Sequence, residues 1–367
     1  MTQLNKEFLE NQRLNEEEIK QKRVFLQSRP RFLMLVLTTR CNLDCIMCGR
    51  VFGKSNLTIP MEVVKKFYSL MPYLEGINWQ GGEVFLVDYF KEVFLEVAKY
   101  PNVRQSIITN GLLIDREWAR LLVDSNVSLT YSIDAVTKET YEKIRRGASW
   151  ENLLRSIEII NESNRKCNSG IQLHMNAVVM RSNYEQLSQF PGFCKNYNFS
   201  HLRFDFLQPG RPDITQEEYI FFIKQDVLII EYLRNILPEI EQKCKELNIQ
   251  FEYTFNPFLF KDNLESLGTQ FQGNNSSKDF SNQVNYLKCK VPWKELFFEI
   301  NPIGEVRPHC LCPHSIGNVM EASIEEIWNS KLMQVYRRRL IEGNISDWCS
   351  KICLSNAVDA NQFEVRG

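Results

Sequence analysis

Short apolar runs alternate with longer amphipathic stretches over most of the chain. Each run is four to ten residues long, which is typical of buried strands, and each precedes a segment with apolar residues at helical spacing. Repeated strand–helix alternation of this kind predicts a parallel sheet with helical crossovers. The runs that predict strands lie at 32–37, 77–80, 103–108, 127–132, 171–180 and 202–207.

Short polar motifs follow five of these six strands. In a (β/α) barrel the reactive groups gather where many different strands end, whereas an open sheet concentrates them at one switch point. We therefore predict an α/β fold built on a partial (β/α)6 TIM-like barrel. The motifs are Cys41 to Cys48, Gly81-Gly82-Glu83, Thr109-Asn110-Gly111, Ser132-Ile133-Asp134 and Gln208-Pro209.

The remaining segments divide the chain into four parts. Residues 1–30 are expected to form an N-terminal helix, 31–255 the barrel, and the polar stretch 256–285 a linker. Residues 286–367 are expected to form a small C-terminal domain with a β-hairpin around Gly304 and a helix over 323–342. Such a small unit has little core of its own, so a metal staple is expected there.

Charge and hydropathy argue against two classes of partner. The chain has 44 Lys and Arg against 45 Asp and Glu, so its composition predicts no nucleic-acid surface. No run of about 18 apolar residues could span a bilayer, and the polar start has no secretory core. We therefore expect a cytoplasmic protein with no membrane partner, in which clustered cysteines bind metals more often than they form disulfides.

Cys41, Cys45 and Cys48 form the first of two cysteine groups. Thiolates are the soft ligands that iron–sulfur clusters, zinc and copper(I) select, and three of them leave one metal position open. The alternative is a set of buried structural cysteines on one helix face, since the spacings of four and three also fit a helix. The polar neighbours Arg40 and Asp44 favour the metal site.

The second group offers four thiolates near the C-terminal end. Its members are Cys289, Cys310, Cys349 and Cys353, with Cys312 left over. Because His309 and His314 are close in sequence, a structural zinc ion is the main competitor to an iron–sulfur cluster here.

Further polar residues could hold a small ligand at the strand ends. Backbone carbonyls and a carboxylate at Gly81-Gly82-Glu83 suit an ammonium group, although an ordinary glycine turn explains them equally well. The short side chains of Asn110, Ser132 and Asp134 suit a ribose or a carboxylate, with Asx turns and helix caps as the alternative. Arg145 could bind a carboxylate. Two further side chains could face the barrel interior, His174 and Asn176.

The order of these motifs resembles the radical S-adenosylmethionine (radical SAM) superfamily. The resemblance rests on the spacing of Cys41, Cys45 and Cys48 and on the glycine-rich and polar motifs at the later strand ends, and it covers about residues 31–255. Met47 departs from it, because an aromatic residue often stands there. The segment from Cys289 to Cys353 looks like the SPASM/twitch extension of the same superfamily, in its shorter form with one auxiliary [4Fe–4S] cluster.

The resemblance implies two iron–sulfur clusters and S-adenosylmethionine (SAM) as cofactors. Cys41, Cys45 and Cys48 would hold the first [4Fe–4S] cluster, whose open iron would bind SAM. The SAM amine would contact Gly81, Gly82 and Glu83, its carboxylate Ser132 and Arg145, while Asn110 and Asp134 would lie near the ribose or the carboxylate. The auxiliary cluster would be held by Cys289, Cys310, Cys349 and Cys353. Cys310 is preferred to Cys312, although the distance from Gly304 is one residue longer than usual.

The implied chemistry is reductive cleavage of SAM to a 5′-deoxyadenosyl radical that abstracts hydrogen from a substrate. The electron would come from a donor such as a flavodoxin or ferredoxin. Only 40 residues precede Cys41, fewer than in peptide-maturing members with a leader-binding domain. We therefore expect a small polar substrate such as a sugar, aminocyclitol or nucleotide derivative, oxidised or epimerised at carbon, with Cys312 as a speculative hydrogen donor. The alternatives are a peptide-modifying maturase and, more distantly, a zinc-stapled binding scaffold.

Overall fold

The computed structural model describes residues 6–48, 56–125, 127–207, 216–220, 226–253, 289–299, 304–310, 312–344 and 349 of the 367-residue chain. The expected linker at 256–285, the Gln208-Pro209 motif and Cys353 lie outside the described residues. Within them, strands and helices alternate as the apolar pattern predicts.

The described strands form one continuous sheet. Strands β1 to β7 are parallel and neighbour one another in sequence order, and β8 lies on the other side of β1. This succession confirms the prediction of a partial (β/α) barrel. The strands are β1 Phe32–Val36, β2 Gly76–Gln80, β3 Arg104–Thr109, β4 Val127–Ser132, β5 Gln172–Val179, β6 His201–Phe206, β7 Gln250–Tyr253, β8 Glu295–Glu299, β9 Glu305–Arg307 and β10 Gly317–Asn318.

Helices connect the strands and cover the outer face of the sheet. Side chains of Asp115, Ser149 and Asp226 accept backbone hydrogen bonds at the starts of α4, α6 and α8, which fixes where those helices begin. The helices are α1 Lys6–Lys20, α2 Met61–Lys65, α3 Phe90–Val97, α4 Arg116–Val123, α5 Lys138–Ile144, α6 Trp150–Cys167, α7 Phe190–Asn196, α8 Val227–Glu246, α9 Val291–Lys294, α10 Ile324–Trp328 and α11 Lys331–Glu342, with 3-10 turns at Lys66–Leu70, Val84–Leu86, Tyr184–Gln189 and Gln216–Glu218.

The two faces of the sheet differ in polarity because side chains alternate along each strand. On β5, Leu173 and Met175 are buried under the helices, whereas His174 and Asn176 are half-buried on the opposite face. That opposite face is the barrel interior. It carries polar side chains from several strands and is therefore suited to hold a polar ligand.

Two features of the sheet differ from the sequence prediction. A seventh parallel strand, β7, pairs with β6, although the alternation of polar and aromatic residues at 250–253 was not interpreted as a strand. Strand β8 of the expected C-terminal hairpin pairs in parallel with β1, so the hairpin extends the barrel sheet. Because β8 pairs with β1, the second cysteine group lies next to the barrel.

The N-terminal helix and the C-terminal segment are joined by buried polar contacts. The N-terminal helix predicted within residues 1–30 ends at Lys20, and residues 23–29 run between α1 and the C-terminal helices. Asn329 accepts a hydrogen bond from Leu26 N and donates one to Leu26 O. Asn329 also lies at the break that divides the predicted helix over 323–342 into α10 and α11.

Candidate functional site

The first three cysteines lie on a loop directly after β1. Cys41 and Cys45 are half-buried and Cys48 is exposed, and residues 41–48 contain no helix. The alternative of core cysteines on a helix face is therefore wrong. The loop is fastened to the end of α5, because Asp44 N donates to Arg146 O and Ile46 N donates to Ile144 O, each at 2.9 Å. Met47 is buried beside Ile144 in a small apolar cluster.

Gly81 and Gly82 permit close contact with the backbone that leads into the cysteine loop. Gly82 N donates to Thr38 O at 2.7 Å, and Glu83 N donates to Arg40 O at 2.8 Å. A Cβ at Gly81 would lie 2.5 Å from Thr38 O, and one at Gly82 would lie 2.1 Å from Arg40 O. Glycine is required at both positions because any side chain would push the cysteine loop away.

The Glu83 carboxylate is buried and faces the end of β3. It accepts hydrogen bonds from Thr109 Oγ1 at 2.8 Å and from Asn110 N at 2.9 Å. Burial raises the pKa of Glu83 to about 7, in spite of these hydrogen bonds. The carboxylate thus joins two of the predicted motifs, and a contact with a SAM amine stays a prediction.

Asn110 connects β3 to the cysteine loop. Its Nδ2 donates to Asn42 Oδ1 at 2.8 Å and lies 4.0 Å from Cys41 Sγ, while its Oδ1 accepts from Leu112 N at 3.0 Å. The last contact is the Asx turn considered from the sequence. Asn110 is therefore placed beside the predicted cluster ligand.

Asp134 and Arg145 form a buried ion pair beside the same loop. Arg145 Nη2 lies 2.7 Å from Asp134 Oδ2, and Asp134 Oδ1 accepts from Val178 N at 2.8 Å. Arg145 Nη1 lies 3.9 Å from Cys45 Sγ. Burial raises the pKa of the Cys45 thiol to about 12, and the Arg145 charge opposes that rise. Arg145 therefore favours the thiolate form that a metal requires.

A polar row crosses the barrel interior at the height of Ser132. Ser132 is the register partner of Asn176, Asn176 of Arg203, and Arg203 of Glu252. Asn176 Nδ2 donates to Asp205 Oδ2 at 2.9 Å, and Arg203 contacts Asp205 and Glu252, each at 3.1 Å. Arg203, Asp205 and Glu252 are site residues that the sequence motifs did not indicate, although residues 201–205 alternate between polar and apolar side chains.

His174 lies one step further down the same face. Its ring centre is 5.1 Å from that of His201, and burial lowers the pKa of His174 to about 4. His174 is therefore neutral at physiological pH.

The second cysteine group lies where the β8–β9 hairpin meets α11. Cys289, Cys312 and Cys349 are half-buried, whereas Cys310 is exposed. Cys353, the fourth predicted ligand, lies outside the described residues. In the part of the chain that is described, no three Cys, His, Asp or Glu side chains converge closely enough to hold a single metal ion.

The residues of the first site fit a [4Fe–4S] cluster with bound SAM. Three thiols on one anchored loop provide soft ligands and leave an iron position open. The buried Arg145 Nε has no hydrogen-bond partner among the described residues, so it is available to an anionic group such as the SAM carboxylate. The close approach of the glycine backbone places further hydrogen-bonding groups next to the loop.

No helix of the described residues is long and apolar enough to cross a membrane.

Two family models match the chain. The radical SAM superfamily model matches residues 35–187, and the SPASM model, an iron–sulfur cluster-binding domain, matches residues 289–353. These matches cover the two cysteine groups and the strand-end motifs between Gly81 and Arg145. They support [4Fe–4S] clusters and SAM as the cofactors.

Individual relatives match with lower identity. The cysteine-type anaerobic sulfatase-maturating enzyme of Clostridium novyi is 27% identical over 46% of this chain and 48% of its own length. The subtilosin biosynthesis protein AlbA of Bacillus subtilis is 24% identical over 85% of this chain and 63% of its own length. The chain thus spans about half to two thirds of these two relatives. The AdoMet-dependent heme synthase of Methanosarcina barkeri is 26% identical over 86% of each chain.

The fold resembles a solved structure over most of its length. Streptococcus suis SuiB superposes with a TM-score of 0.63 at 16% identity, over 89% of this chain and 71% of that one. At this identity the likeness shows the fold alone. The two family models identify a radical SAM superfamily domain in this chain, followed by a SPASM iron–sulfur cluster-binding domain.

Proposed function

We propose that this radical SAM enzyme modifies a peptide. Two of the relatives, the sulfatase-maturating enzyme and AlbA, are named for protein or peptide maturation, and the AlbA match runs through the barrel and the SPASM segment. These relatives favour the peptide alternative over the small polar substrate expected from the sequence. The number of residues before Cys41 does not argue against a peptide substrate.

Buried polar atoms without hydrogen-bond partners in the barrel interior are the observation that supports this proposal. Three amide side chains on the inner face have a buried atom with no hydrogen-bond partner in the described part of the chain: Asn78 Oδ1, Gln80 Nε2 and Asn176 Oδ1. A peptide group has one donor and one acceptor, so it matches such a set of unpaired donors and acceptors. The half-exposed Arg203 extends this polar surface toward β7.

In this proposal the residues around the first site have separate tasks. Cys41, Cys45 and Cys48 hold the cluster, Gly81 and Gly82 approach the SAM amine, and Arg145 neutralises the SAM carboxylate. When bound and reduced, the cluster and SAM supply a 5′-deoxyadenosyl radical for hydrogen abstraction. Ser132 is proposed to contact SAM at the point where the polar row toward Arg203 begins.

One observation favours a small-molecule substrate as the second candidate. The heme synthase match covers 86% of this chain and 86% of the relative, so the whole chain is also similar to an enzyme named for a small-molecule product. Oxidation or epimerisation of a small polar molecule is therefore the second candidate reaction.

The two candidates are separated by an anaerobic assay with reconstituted enzyme, SAM and a chemical reductant. The substrates are short peptides encoded beside the gene, with sugars and nucleotide derivatives as the comparison set. We expect 5′-deoxyadenosine formation together with a mass change on a peptide, and transfer of deuterium from a labelled peptide into 5′-deoxyadenosine. A mass change on a small molecule, with every peptide unaltered, would overturn the proposal. The Cys45→Ala variant is the control and should give no 5′-deoxyadenosine.

A further inference from the structure

We propose that Cys312, rather than Cys310, provides the third thiolate of the auxiliary iron–sulfur site, together with Cys289 and Cys349. The proposal rests on the SPASM segment and is independent of which substrate the enzyme modifies. It replaces the preference for Cys310 that came from the resemblance alone.

Exposure separates the two cysteines. The Cys310 side chain is exposed, and its Sγ lies 3.4 Å from Nδ1 of the neighbouring His309. Cys312 is half-buried and packs against the main apolar core, as Cys289 and Cys349 do. Partial burial of a ligand protects a cluster from water, so the exposure of Cys310 favours Cys312 as the ligand.

A turn in the chain accounts for this difference. Cys312 N donates to His309 O at 2.9 Å, which closes a turn between the two cysteines. The segment after the turn is fixed to α11, because His314 N donates to Tyr336 Oη at 3.1 Å. Cys312 is thus held near α11, while Cys310 lies within the turn.

Tyr336 shows which thiols are close together. Burial raises the pKa of the Tyr336 phenol well above its usual range, and nearby Cys312 and Cys349 act in the same direction. Both thiols therefore lie within electrostatic reach of one phenol on α11.

Cys289 approaches the same helix one turn further on. Cys289 and Leu340 line the same small recess, together with Trp293 and Ile19 of α1. Leu340 follows Tyr336 by four residues, so both project from the same face of α11. Cys289 therefore lies beside Leu340 of α11, and the segment that follows Cys312 is fixed to Tyr336 of the same helix.

The chemistry of this set fits an iron–sulfur cluster. Thiolates are the usual ligands of a [4Fe–4S] cluster, and a partly buried, apolar setting protects its sulfides from water. The assignment also removes Cys312 as a hydrogen donor, because a thiolate bound to iron has no hydrogen atom to return to a substrate radical.

The test compares two variants in a background that lacks the first cluster. Cys41, Cys45 and Cys48 are all changed to Ala in the full chain, and Cys310→Ala or Cys312→Ala is then added. Iron and acid-labile sulfide per chain, absorbance of the cluster, and the electron paramagnetic resonance (EPR) spectrum after reduction are measured under anaerobic conditions. None of these measurements needs SAM or a substrate. A result that contradicts the ligand assignment is therefore distinct from a failure of the proposed function.

We expect the Cys310→Ala variant to keep about four irons and an unchanged spectrum, and the Cys312→Ala variant to lose most of both. The reverse result would overturn the assignment, as would retention of the cluster in both variants or its loss from both. Cys312→Asp guards against loss of folding, because an oxygen ligand should keep the iron and shift the EPR spectrum. An unshifted spectrum in Cys312→Asp would contradict direct ligation. Circular dichroism verifies that every variant is folded.

Discussion

Arg145 and Asp134 form a buried ion pair, with Nη2 2.7 Å from Oδ2, and the same guanidinium lies 3.9 Å from Cys45 Sγ. From the sequence, each of the two residues was expected to contact SAM by itself. Their pairing shows that Asp134 holds Arg145, and that Arg145 is aligned between a carboxylate and a predicted cluster ligand.

Replacing Arg145 with Met should therefore affect both stability and chemistry. The substitution leaves Asp134 buried without its cation, which costs about 3–5 kcal/mol in the free energy of unfolding. SAM binding should also weaken, because the buried donors near Cys45 disappear. The neighbouring Arg146→Met variant is the matched control, since the Arg146 side chain is exposed and its structural contact is made by the backbone carbonyl. Equal behaviour of the two variants in denaturation and SAM binding would refute the assigned role.

Gly82→Ala tests the contact between the glycine motif and the cysteine loop. The new Cβ would lie 2.1 Å from Arg40 O, so the backbone before Cys41 must move. We expect the first cluster to be lost, with total iron per chain falling to about half while the auxiliary cluster remains.

Gly192→Ala is the control for that substitution. Gly192 lies within α7, and a Cβ there would meet nothing within 4 Å. Because Ala favours a helix by up to about 1 kcal/mol over Gly, this variant should be as stable as the parent or more so, with full iron content. Normal iron in Gly82→Ala would show that the close approach is not needed to form the site.

The sequence predicted much of the fold because the strands have a regular apolar pattern. It also predicted the position of the motifs, since parallel strands end at one side of a barrel. It could not predict that β8 pairs with β1, because that contact joins residues more than 250 positions apart and has no local signal. For the same reason the alternation at 201–205 indicated a strand but not the pairing of Arg203 with Glu252.

Glu83 should make the stability of the protein depend on pH. Its carboxyl has a pKa of about 7 in the folded chain because it is buried, whereas the unfolded value is near 4.5. Between these values the folded state binds the additional proton, so stability is greatest at low pH and falls as pH rises through about 7. From pH 5.5 to 8 the loss attributable to Glu83 is about 2 kcal/mol.

The Glu83→Gln variant isolates this contribution, because a neutral amide cannot titrate. Anaerobic denaturation of the parent and the variant at pH 5.5, 7 and 8 gives the difference in unfolding free energy. Glu295 is a necessary comparison, since burial also raises its pKa to about 7. Glu295→Gln should remove the contribution of Glu295 to the pH dependence of the unfolding free energy and leave the contribution of Glu83 unchanged. A difference between parent and Glu83→Gln that is constant with pH would contradict the buried, proton-binding carboxylate.

Arg203→Gln should separate substrate binding from SAM cleavage. Arg203 contacts Asp205 and Glu252 on the barrel interior. We expect kcat/KM for the modified peptide to fall about 10- to 100-fold, which corresponds to about 1–3 kcal/mol. Substrate-independent formation of 5′-deoxyadenosine should stay within about twofold. Arg13→Gln is the control, because Arg13 is an exposed partner of Glu10 and Glu17 on α1.

Arg337 should be the residue on which attachment of the C-terminal segment depends most. It is fully buried, lies 4.6 Å from the centre of the Trp328 ring, and donates to the carbonyls of Val24, Pro292 and Trp328, each at 2.9 Å. These contacts connect the N-terminal segment, α9 and α10. Burial lowers the pKa of Arg337 to about 9, and the charge of Glu18 opposes that change.

Arg337→Ala leaves three buried carbonyls without a donor, and each unsatisfied group costs about 1–3 kcal/mol. We expect a lower unfolding midpoint and partial loss of auxiliary iron, since the Pro292 carbonyl, three residues after Cys289, loses its donor. The next residue provides a matched control, because Arg338 is exposed on the same helix and Arg338→Ala should change neither property. If Arg337→Ala kept the iron content and midpoint of Arg338→Ala, the buried arginine would have no part in placing the cysteines. If the midpoint fell while iron was retained, its role would be confined to stability.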